Sequence, residues 1–402
     1  VSLFSSLSSV QFDRMISEEE ARAKILETIA VLPARHVDLD AALNCFAAND
    51  VRARLPLPLF DNSAMDGYAV MAGGNRYRVV GEQPAGLHRQ LRVNAGEAVR
   101  IFTGAPIPSG ANAVVMQEDV ARDGEYIAVN CKIDIGDFIR RRGCDLSEGQ
   151  RILGQGERIT ATKLALLASQ GIVDLAIGGE VTAAVISTGD ELVRGSAPLQ
   201  SGQIYDSNST LLAALVRGVD ARVAFAEHCP DELETLTRSI ERASKQRVLL
   251  ISGGVSVGEH DLVRRALENL GAKIDIWRVA IKPGKPFLFA RLNDCIVFGL
   301  PGNPVSVFVT FLRFVRPAIW KLAGACALAP PTFAAELDVD LANDDAKRPH
   351  YVRGKLFDGK FSPSGRQESH ALFGLSQANA LGRIEAGKKL GRGDKIDIEI
   401  WI

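Results

Sequence analysis

Apolar positions recur at helical spacing across 17–31, where Ile25, Leu26 and Ile29 share one side. Ser17, with Glu20 three residues on, forms a capping box and predicts the start of that helix. A second short helix is predicted at 38–46. The run Leu55-Pro56-Leu57-Pro58 cannot continue a helix and reads as a linker. From 60 to about 146 the texture changes. Short apolar runs at 77–80, 98–102, 113–116 and 126–129 alternate with Gly, Pro and Asn turns, the pattern of a β-rich module. Helical spacing returns at 160–170 and stops at Gly171, so the module reads as an insertion between two helical pieces.

Residues 178–325 alternate strand and helix. Apolar strands are predicted at 181–186, 248–251, 273–280, 287–291 and 295–298, and helices at 209–217, 231–244 and 262–270. Leu292-Asn293-Asp294 reads as a hairpin-like turn. This alternation predicts a mostly parallel sheet with helices on both faces. After Ala329-Pro330-Pro331, short strands at 336–341, 351–357, 380–384 and 395–401 predict a small β domain of barrel type. The fold class is therefore α/β multidomain. A helical linker domain spans 15–58 plus 147–177, and a β-rich inserted domain spans 59–146. The α/β domain covers 178–328, and the C-terminal β domain covers 329–402.

Composition narrows the function classes. At 402 residues more than one domain is expected, and 47% hydrophobic with 24% charged residues is ordinary for globular chains. A formal net charge of −1 leaves no general footprint for nucleic acid or an anionic membrane. No apolar run is long enough to span a bilayer. Six scattered cysteines without a CxxC pair suggest neither a zinc site nor a disulfide framework, and read as reduced thiols of a cytoplasmic protein. Residues 1–14 lack a basic region and a long apolar core, and read as a disordered leader rather than a signal peptide.

Candidate chemistry concentrates in three loops. The stretch 248–261, VLLISGGVSVGEHD, reads as buried strand, Gly-rich turn at Ser252-Gly253-Gly254, then the acids Glu259 and Asp261 opening a helix. Glycines let backbone approach a ligand, and a helix N-terminus favours anions. Asp261 could cap the helix or hold a cation that in turn holds a phosphate. A second loop, Ser187-Thr188-Gly189-Asp190-Glu191, and a third, Gly299-Leu300-Pro301-Gly302-Asn303-Pro304, also leave the carboxyl ends of strands. Singly each is an ordinary turn; together, on one sheet edge, they predict one pocket. The acids Asp66, Asp145, Asp190, Glu191, Asp206 and Asp261 suggest Mg²⁺ bridging a phosphorylated ligand. Lys282 and Lys285, in a Pro-Gly-stiffened loop, suggest a small oxyanion, with Ser306 adding a hydroxyl. Asp206 could equally be a helix cap, and the lysines and Arg140-Arg141-Arg142 a solvated face. GGVSVG is not GxGxxG, and neither HExxH, GxSxG nor a Walker motif occurs.

The motifs carry a resemblance. FDNSAMDGYAV (60–70), RIFTGAPIPSGANAVVMQED (100–119), IRRRGCD (139–145), STGDEL (187–192), GQIYDSN (202–208), SGGVSVGEHD (252–261), AIKPGKPF (280–287) and LPGNPVS (300–306) occur in that order. In these segments the chain resembles the MoeA family of molybdopterin molybdenumtransferases, which includes the E domain of gephyrin. After 330 the likeness weakens to YVRG (351–354), ESHAL (368–372) and the Ala378-Asn379 pair followed by Leu381. Cys144 stands where the family usually has an acid.

The resemblance implies a four-part homodimeric protein with an α/β domain of molybdopterin-binding type. It implies that molybdate is inserted into adenylylated molybdopterin with Mg²⁺-dependent release of AMP, and contact with the adenylyltransferase that makes this substrate. Carried over residue by residue, catalytic roles fall on Asp66, Thr103, Glu191, Asp231 and Asp261, with Glu191 and Asp261 as metal ligands. Substrate-binding roles fall on Asp145, Pro301 and Pro304 for the pterin nucleotide. Those for molybdate fall on Lys282, Lys285, Pro286, Ser306, Arg353 and Ser369. Ser187, Gly253 and Gly254, in the loops singled out above, join the substrate-binding set. The rival readings are a molybdopterin adenylyltransferase or other nucleotide-handling enzyme on the same α/β domain, and a scaffold of gephyrin type.

Overall fold

The computed structural model describes residues 15–87, 89–254 and 261–401. The chain forms two compact units. One comprises the chain up to Asn49, residues 155–160 and everything from Asp174 onward; the other comprises 50–154 and 161–173. The expected leader, 1–14, and the acid Glu259 lie outside the described residues. The helices in chain order are α1 (Glu18–Glu27), α2 (Ala161–Ser169), α3 (Asn208–Gly218), α4 (Leu233–Ala243), α5 (Leu262–Asn269), α6 (Pro304–Thr310), α7 (Arg316–Leu322) and α8 (Leu372–Ser376).

The larger unit is built on a seven-stranded sheet. Its strands are β1 (Ile16–Ser17), β2 (Thr182–Thr188), β3 (Arg222–Cys229), β4 (Val248–Ser252), β5 (Lys273–Ala280), β6 (Pro286–Leu292) and β7 (Cys295–Leu300). They lie in the order β1-β5-β6-β7-β4-β2-β3. The run from β7 through β4 and β2 to β3 is parallel, as is β1 with β5, while β6 is antiparallel to both its neighbours. The antiparallel step is the predicted hairpin. Leu292 pairs with Cys295, so Asn293 and Asp294 alone turn the chain, with Asn293 in the left-handed region at φ 53°.

Strands β4 and β7 are buried throughout, which is why they read as unbroken apolar runs. Alternate residues serve opposite layers. Ala183 and Val185 pack with Ile25 of α1, Leu212 and Val216 of α3 and the apolar helices after Pro304. Ala184 and Ile186 pack with Leu236 and Ile240 of α4 and Val263 and Leu267 of α5. At α1, the Ser17 hydroxyl accepts from the Glu20 N–H at 3.0 Å, as the capping box predicts. The helix expected at 38–46 is reduced to one 3₁₀ turn, Leu39–Ala42. Asn44 turns left-handed (φ 64°), and Phe46 and Ala47 bridge to Arg158 and Ile177, so the backbone after Ala42 pairs laterally instead of coiling.

The last part of this unit is a closed barrel of β8 (Thr332–Leu337), β9 (His350–Phe357), β10 (Lys360–Pro363), β11 (Ala380–Ile384) and β12 (Lys395–Ile400), around Leu337, Val352, Phe361, Ile384 and Ile398. A buried ionic cluster fastens the barrel to the α/β layers. The Glu18 carboxylate, 3% exposed, accepts from Arg313 Nε at 2.6 Å and from the Tyr351 hydroxyl at 2.7 and 2.8 Å. Arg313 Nη1 also reaches Glu399 of β12 at 2.9 Å, and Glu399 takes a second guanidinium from Arg316. Burial and the facing Glu18 carboxylate hold the Tyr351 phenol well above its usual range.

In the smaller unit a six-stranded sheet runs in the order 113–116, 67–70, 97–101, 76–83, 126–129, 120–123, over a core of Tyr68, Val70, Tyr77, Val115 and Ile127. Gln170, just past α2, accepts from the N–H groups of Arg54 and Leu55 at 2.9 and 3.0 Å and so anchors the start of the proline linker.

Removing one partner of a buried ion pair leaves the others uncompensated. Glu18→Gln is therefore expected to lower the unfolding free energy by about 3 kcal/mol or more in denaturant titration. Tyr351→Phe, which deletes one hydroxyl, should cost about 1 kcal/mol. A loss below 1 kcal/mol for Glu18→Gln would mean that water already screens the cluster.

Candidate functional site

Four loops leave one edge of the large sheet. The registers Thr188↔Cys229, Ser187↔Ser252 and Ser252↔Leu300 set the strand ends level, so the loops after β2, β3, β4 and β7 crowd together. Ser187, fully buried, donates to Asp206 Oδ2 at 2.6 Å. Asp206 also accepts from the Ser209 hydroxyl at 2.6 Å and its N–H at 3.0 Å, which makes it a cap for α3. Burial opposes its charge, but the three hydrogen bonds from Ser187 and Ser209 outweigh it and hold the carboxyl below its usual range.

Three further acids stand at the ends of β2 and β3. The Thr188 hydroxyl donates to Asp231 Oδ1, and the Asp231 N–H donates to Asp190 Oδ1 at 3.0 Å. Gly189 has φ 150°, and a Cβ there would lie 2.6 Å from Glu191 Oε2, so the Glu191 carboxylate folds back over that glycine. Next to them the Gly-rich loop crosses β2. A Cβ on Gly253 (φ 90°) would lie 2.2 Å from the Thr188 carbonyl oxygen, and one on Gly254 would strike Thr188 Cγ2 and Val263 Cγ2. Only glycine fits at these two positions, and Gly254 lies between Thr188 of β2 and Val263 of α5. Asp261, 3% exposed, accepts from the Arg264 N–H at 2.7 Å, so it does cap α5. Among the described residues no three His, Cys, Asp or Glu side chains form a ready metal cage.

A cationic corner lies on the same unit. Lys282 is tied by backbone to the barrel: its N–H donates to the Pro349 carbonyl at 2.9 Å, and its carbonyl accepts from the Tyr351 N–H at 2.7 Å. Gly284 packs against Thr310 and near the Ser306 carbonyl, which sets the lysine loop beside α6. Ser306 is buried, Lys285 is exposed and Pro286 opens β6. Ser369 is drawn in from the barrel: its carbonyl accepts from the Val305 N–H at 3.0 Å and its hydroxyl from Asn303 Nδ2 at 2.8 Å. Arg353 has no solvent exposure. Its Nη2 donates to the carbonyls of Arg366 and Glu368, while Nε and Nη1 have no partner among the described residues. Buried guanidinium donors without a hydrogen-bond partner suit an anionic ligand. Of the prolines, Pro301 offers its carbonyl to Ser252 Oγ at 3.3 Å, and Pro304 starts α6.

In the smaller unit Asp66 Oδ1 accepts from the Thr103 N–H at 2.7 Å and its hydroxyl at 2.9 Å, which together hold the exposed carboxyl below its usual range. Asp145 is exposed, in the turn whose N–H donates to the Leu57 carbonyl at 3.0 Å. Arg141 pairs with Asp61 at 2.6 Å, and Asp61 also accepts the Arg142 N–H at 2.8 Å. Within the arginine run, the Arg141 side chain and the Arg142 backbone are thus both held by Asp61.

Three models of protein families match the chain. They are the MoeA N-terminal region (domain I and II) over residues 16–171, a probable molybdopterin binding domain over 184–321, and the MoeA C-terminal region (domain IV) over 334–401. A Haemophilus influenzae protein named molybdopterin molybdenumtransferase is 36% identical, over 96% of this chain and 98% of its own. The chain belongs to the MoeA family. A Nostoc protein of the same name is 38% identical over 88% of this chain and 85% of its own. The crystal structure of a molybdopterin biosynthesis MoeA protein from Pyrococcus horikoshii superimposes with a TM-score of 0.83 at 27% identity, covering 96% of this chain and 100% of that one.

This MoeA family member holds groups whose partners the sequence did not show. Thr188 and Asp190 fix Asp231, and Asn208 ties two loops together. Asp190 was legible as an acid beside glycine, but its partner lies on another strand. His350, on β9, bridges by backbone to Lys282 and had no motif to mark it. Burial, with Lys282, Arg353 and Arg348 nearby, pushes the His350 imidazole from 6.5 down to about 4. The unfolded chain takes up a proton near pH 6.5, whereas the folded one does so only near pH 4. Stability from this group is therefore complete above pH 6.5 and declines as pH falls towards 4. Between about pH 7 and 4.5, His350→Gln should lose about 1–3 kcal/mol less unfolding free energy than wild type. Equal losses in both proteins would place the acid sensitivity elsewhere.

Proposed function

We propose that this MoeA family member inserts molybdate into adenylylated molybdopterin, with Mg²⁺-dependent release of AMP, as a step of molybdenum cofactor biosynthesis. One observation carries the reading: the loop 301–304 belongs to both halves of the site. On one side its Pro301 and Gly302 carbonyls are bound by Ser252 and Asn208 of the acid-lined edge. On the other, Asn303 and Val305 hold Ser369 beside the cationic corner. A nucleotide-bearing substrate and a small oxyanion can therefore be held on two faces of one loop.

The roles follow from the donors. Lys282, Lys285, Arg353 and the Ser306 and Ser369 hydroxyls match a tetrahedral dianion, with Pro286 and Pro304 stiffening the loops that carry them. Gly253, Gly254 and Ser187 shape the bed for the pterin nucleotide with Pro301. For Asp66, Thr103 and Asp145 of the inserted module, the resemblance alone implies a part in the same reaction. Glu191 and Asp261 would hold Mg²⁺, and Asp231 has a catalytic role. This hard-oxygen set fits the ion, because Mg²⁺ keeps several waters and takes one or two carboxylates plus substrate phosphates rather than a closed protein cage. When bound, the ion would neutralise the pyrophosphate and make AMP a better leaving group. The dithiolene sulfurs come from the substrate, so no cysteine need bind molybdenum. The active form is a cytoplasmic homodimer that receives its substrate from a molybdopterin adenylyltransferase.

The direct test is AMP release and molybdenum retention on mixing the protein with adenylylated molybdopterin, molybdate and Mg²⁺. Product from molybdopterin and ATP alone would instead indicate an adenylyltransferase. Lys282→Ala should raise the molybdate concentration for half-maximal rate about tenfold or more while adenylylated pterin still binds. An unchanged molybdate requirement would remove Lys282 from the anion site.

Glu191→Gln and Asp261→Asn keep shape, and Asn can still cap α5. Each should cut AMP release strongly, on the order of tenfold to a hundredfold, with part of the rate returning at higher Mg²⁺. Full turnover at limiting Mg²⁺ would reduce these acids to loop and cap residues.

A further inference from the structure

Asn208, the first residue of α3, makes two hydrogen bonds that cross the nucleotide side of the site. Its Nδ2 donates to Ser252 Oγ at 3.0 Å, at the end of β4, and to the Gly302 carbonyl at 2.6 Å, in the 301–304 loop. The Gly302 carbonyl can only accept, so it fixes which end of the amide is the amine. The other end, Oδ1, is shielded from solvent and has no hydrogen-bond partner among the described residues. A buried acceptor left unpaired is costly, and in native structures it ordinarily marks a group completed by something else. This one belongs to a side chain that touches the end of β4 and the 301–304 loop. The Ser187 and Ser209 hydroxyls are both taken by Asp206.

We propose that Asn208 is a positioning and specificity residue with its two ends divided. The amine locks the Gly-rich loop and the 301–304 loop to α3. The carbonyl oxygen accepts a hydrogen bond from an N–H group of the substrate's fused nitrogen heterocycle. The proposal rests on the functional reading above. Both the pterin and the adenine of that substrate carry such N–H groups, and the experiment separates them.

The test measures binding of three probes separately, by calorimetry in the presence of Mg²⁺: AMP, molybdopterin and inorganic pyrophosphate, which has no heterocycle. The proteins are wild type, Asn208→Ala and Asn208→Asp, each checked for folding by circular dichroism and thermal melting. Asn208→Ala should weaken one heterocyclic probe roughly tenfold while pyrophosphate affinity changes less than about twofold. The probe that weakens identifies the heterocycle. Asn208→Asp keeps the acceptor and removes the amine, so it should restore most of the heterocycle affinity yet melt at lower temperature than wild type. Equal loss for all three probes in both variants would leave Asn208 a loop tie only and overturn the proposal. So would unchanged affinity for both heterocycles. Wild-type protein that binds neither AMP nor molybdopterin would overturn the functional reading, and this proposal with it.

Discussion

Glu18, Arg313, Arg316 and Glu399 place two negative and two positive groups where water scarcely reaches. Apolar packing is non-directional, and a barrel resting on helices by packing alone could settle in several orientations. Buried charges are less tolerant, because each must meet its partner or remain uncompensated. The barrel therefore sits where Tyr351 and Glu399 reach Glu18 and the two guanidinium groups. That single constraint sets the position of β9, and with it His350 and Arg353 beside the lysine loop. The cationic corner is in this sense a by-product of an ionic lock that takes no part in its chemistry.

The two halves of the site solve opposite electrostatic problems. The edge formed by the ends of β2, β3 and β4 gathers carboxylates, which repel phosphate unless a cation intervenes. The corner near α6 gathers ammonium and guanidinium groups, which attract an anion directly. With a formal net charge of −1, the chain has no large excess of either sign to steer ligands from afar. Selectivity has to come from short range, where Arg353 presents buried donors.

Much of the architecture was legible because it rests on local pattern. The both-face burial of β4 and β7 shows as unbroken apolar runs, the Asn293-Asp294 turn as a polar break, and Ser17 with Glu20 as a cap. The closed barrel was readable from short strands and glycine turns. What escaped depends on residues that meet only in the folded chain. Asn44 in a left-handed conformation ended the expected helix at 38–46, and Asn is one of several residues that tolerate it. The open alternatives for Asp206 and Asp261 needed coordinates: both prove to cap helices, through Ser209 and Arg264. Arg141 is paired with Asp61, far back in the chain, a partner that no local pattern marks. Asp231 read from the residues as a helix start, and only the family likeness marked it as a site residue. Its tie to Thr188 explains how it is held.

The register of Ser369 against Val305 has a further consequence, for the order in which the protein is made. A ribosome delivers the chain from its amino end, so the strand ends around Thr188, Ser252 and Leu300 are available before the segment carrying Arg353 and Ser369 exists. The acid-lined edge can assemble early, while the cationic corner has to wait for the barrel. Glu18, among the earliest described residues to emerge, is among the last to find its partners, since Tyr351 must arrive to complete its shell. Vectorial synthesis thus keeps the cationic corner unformed until the barrel segment has been made.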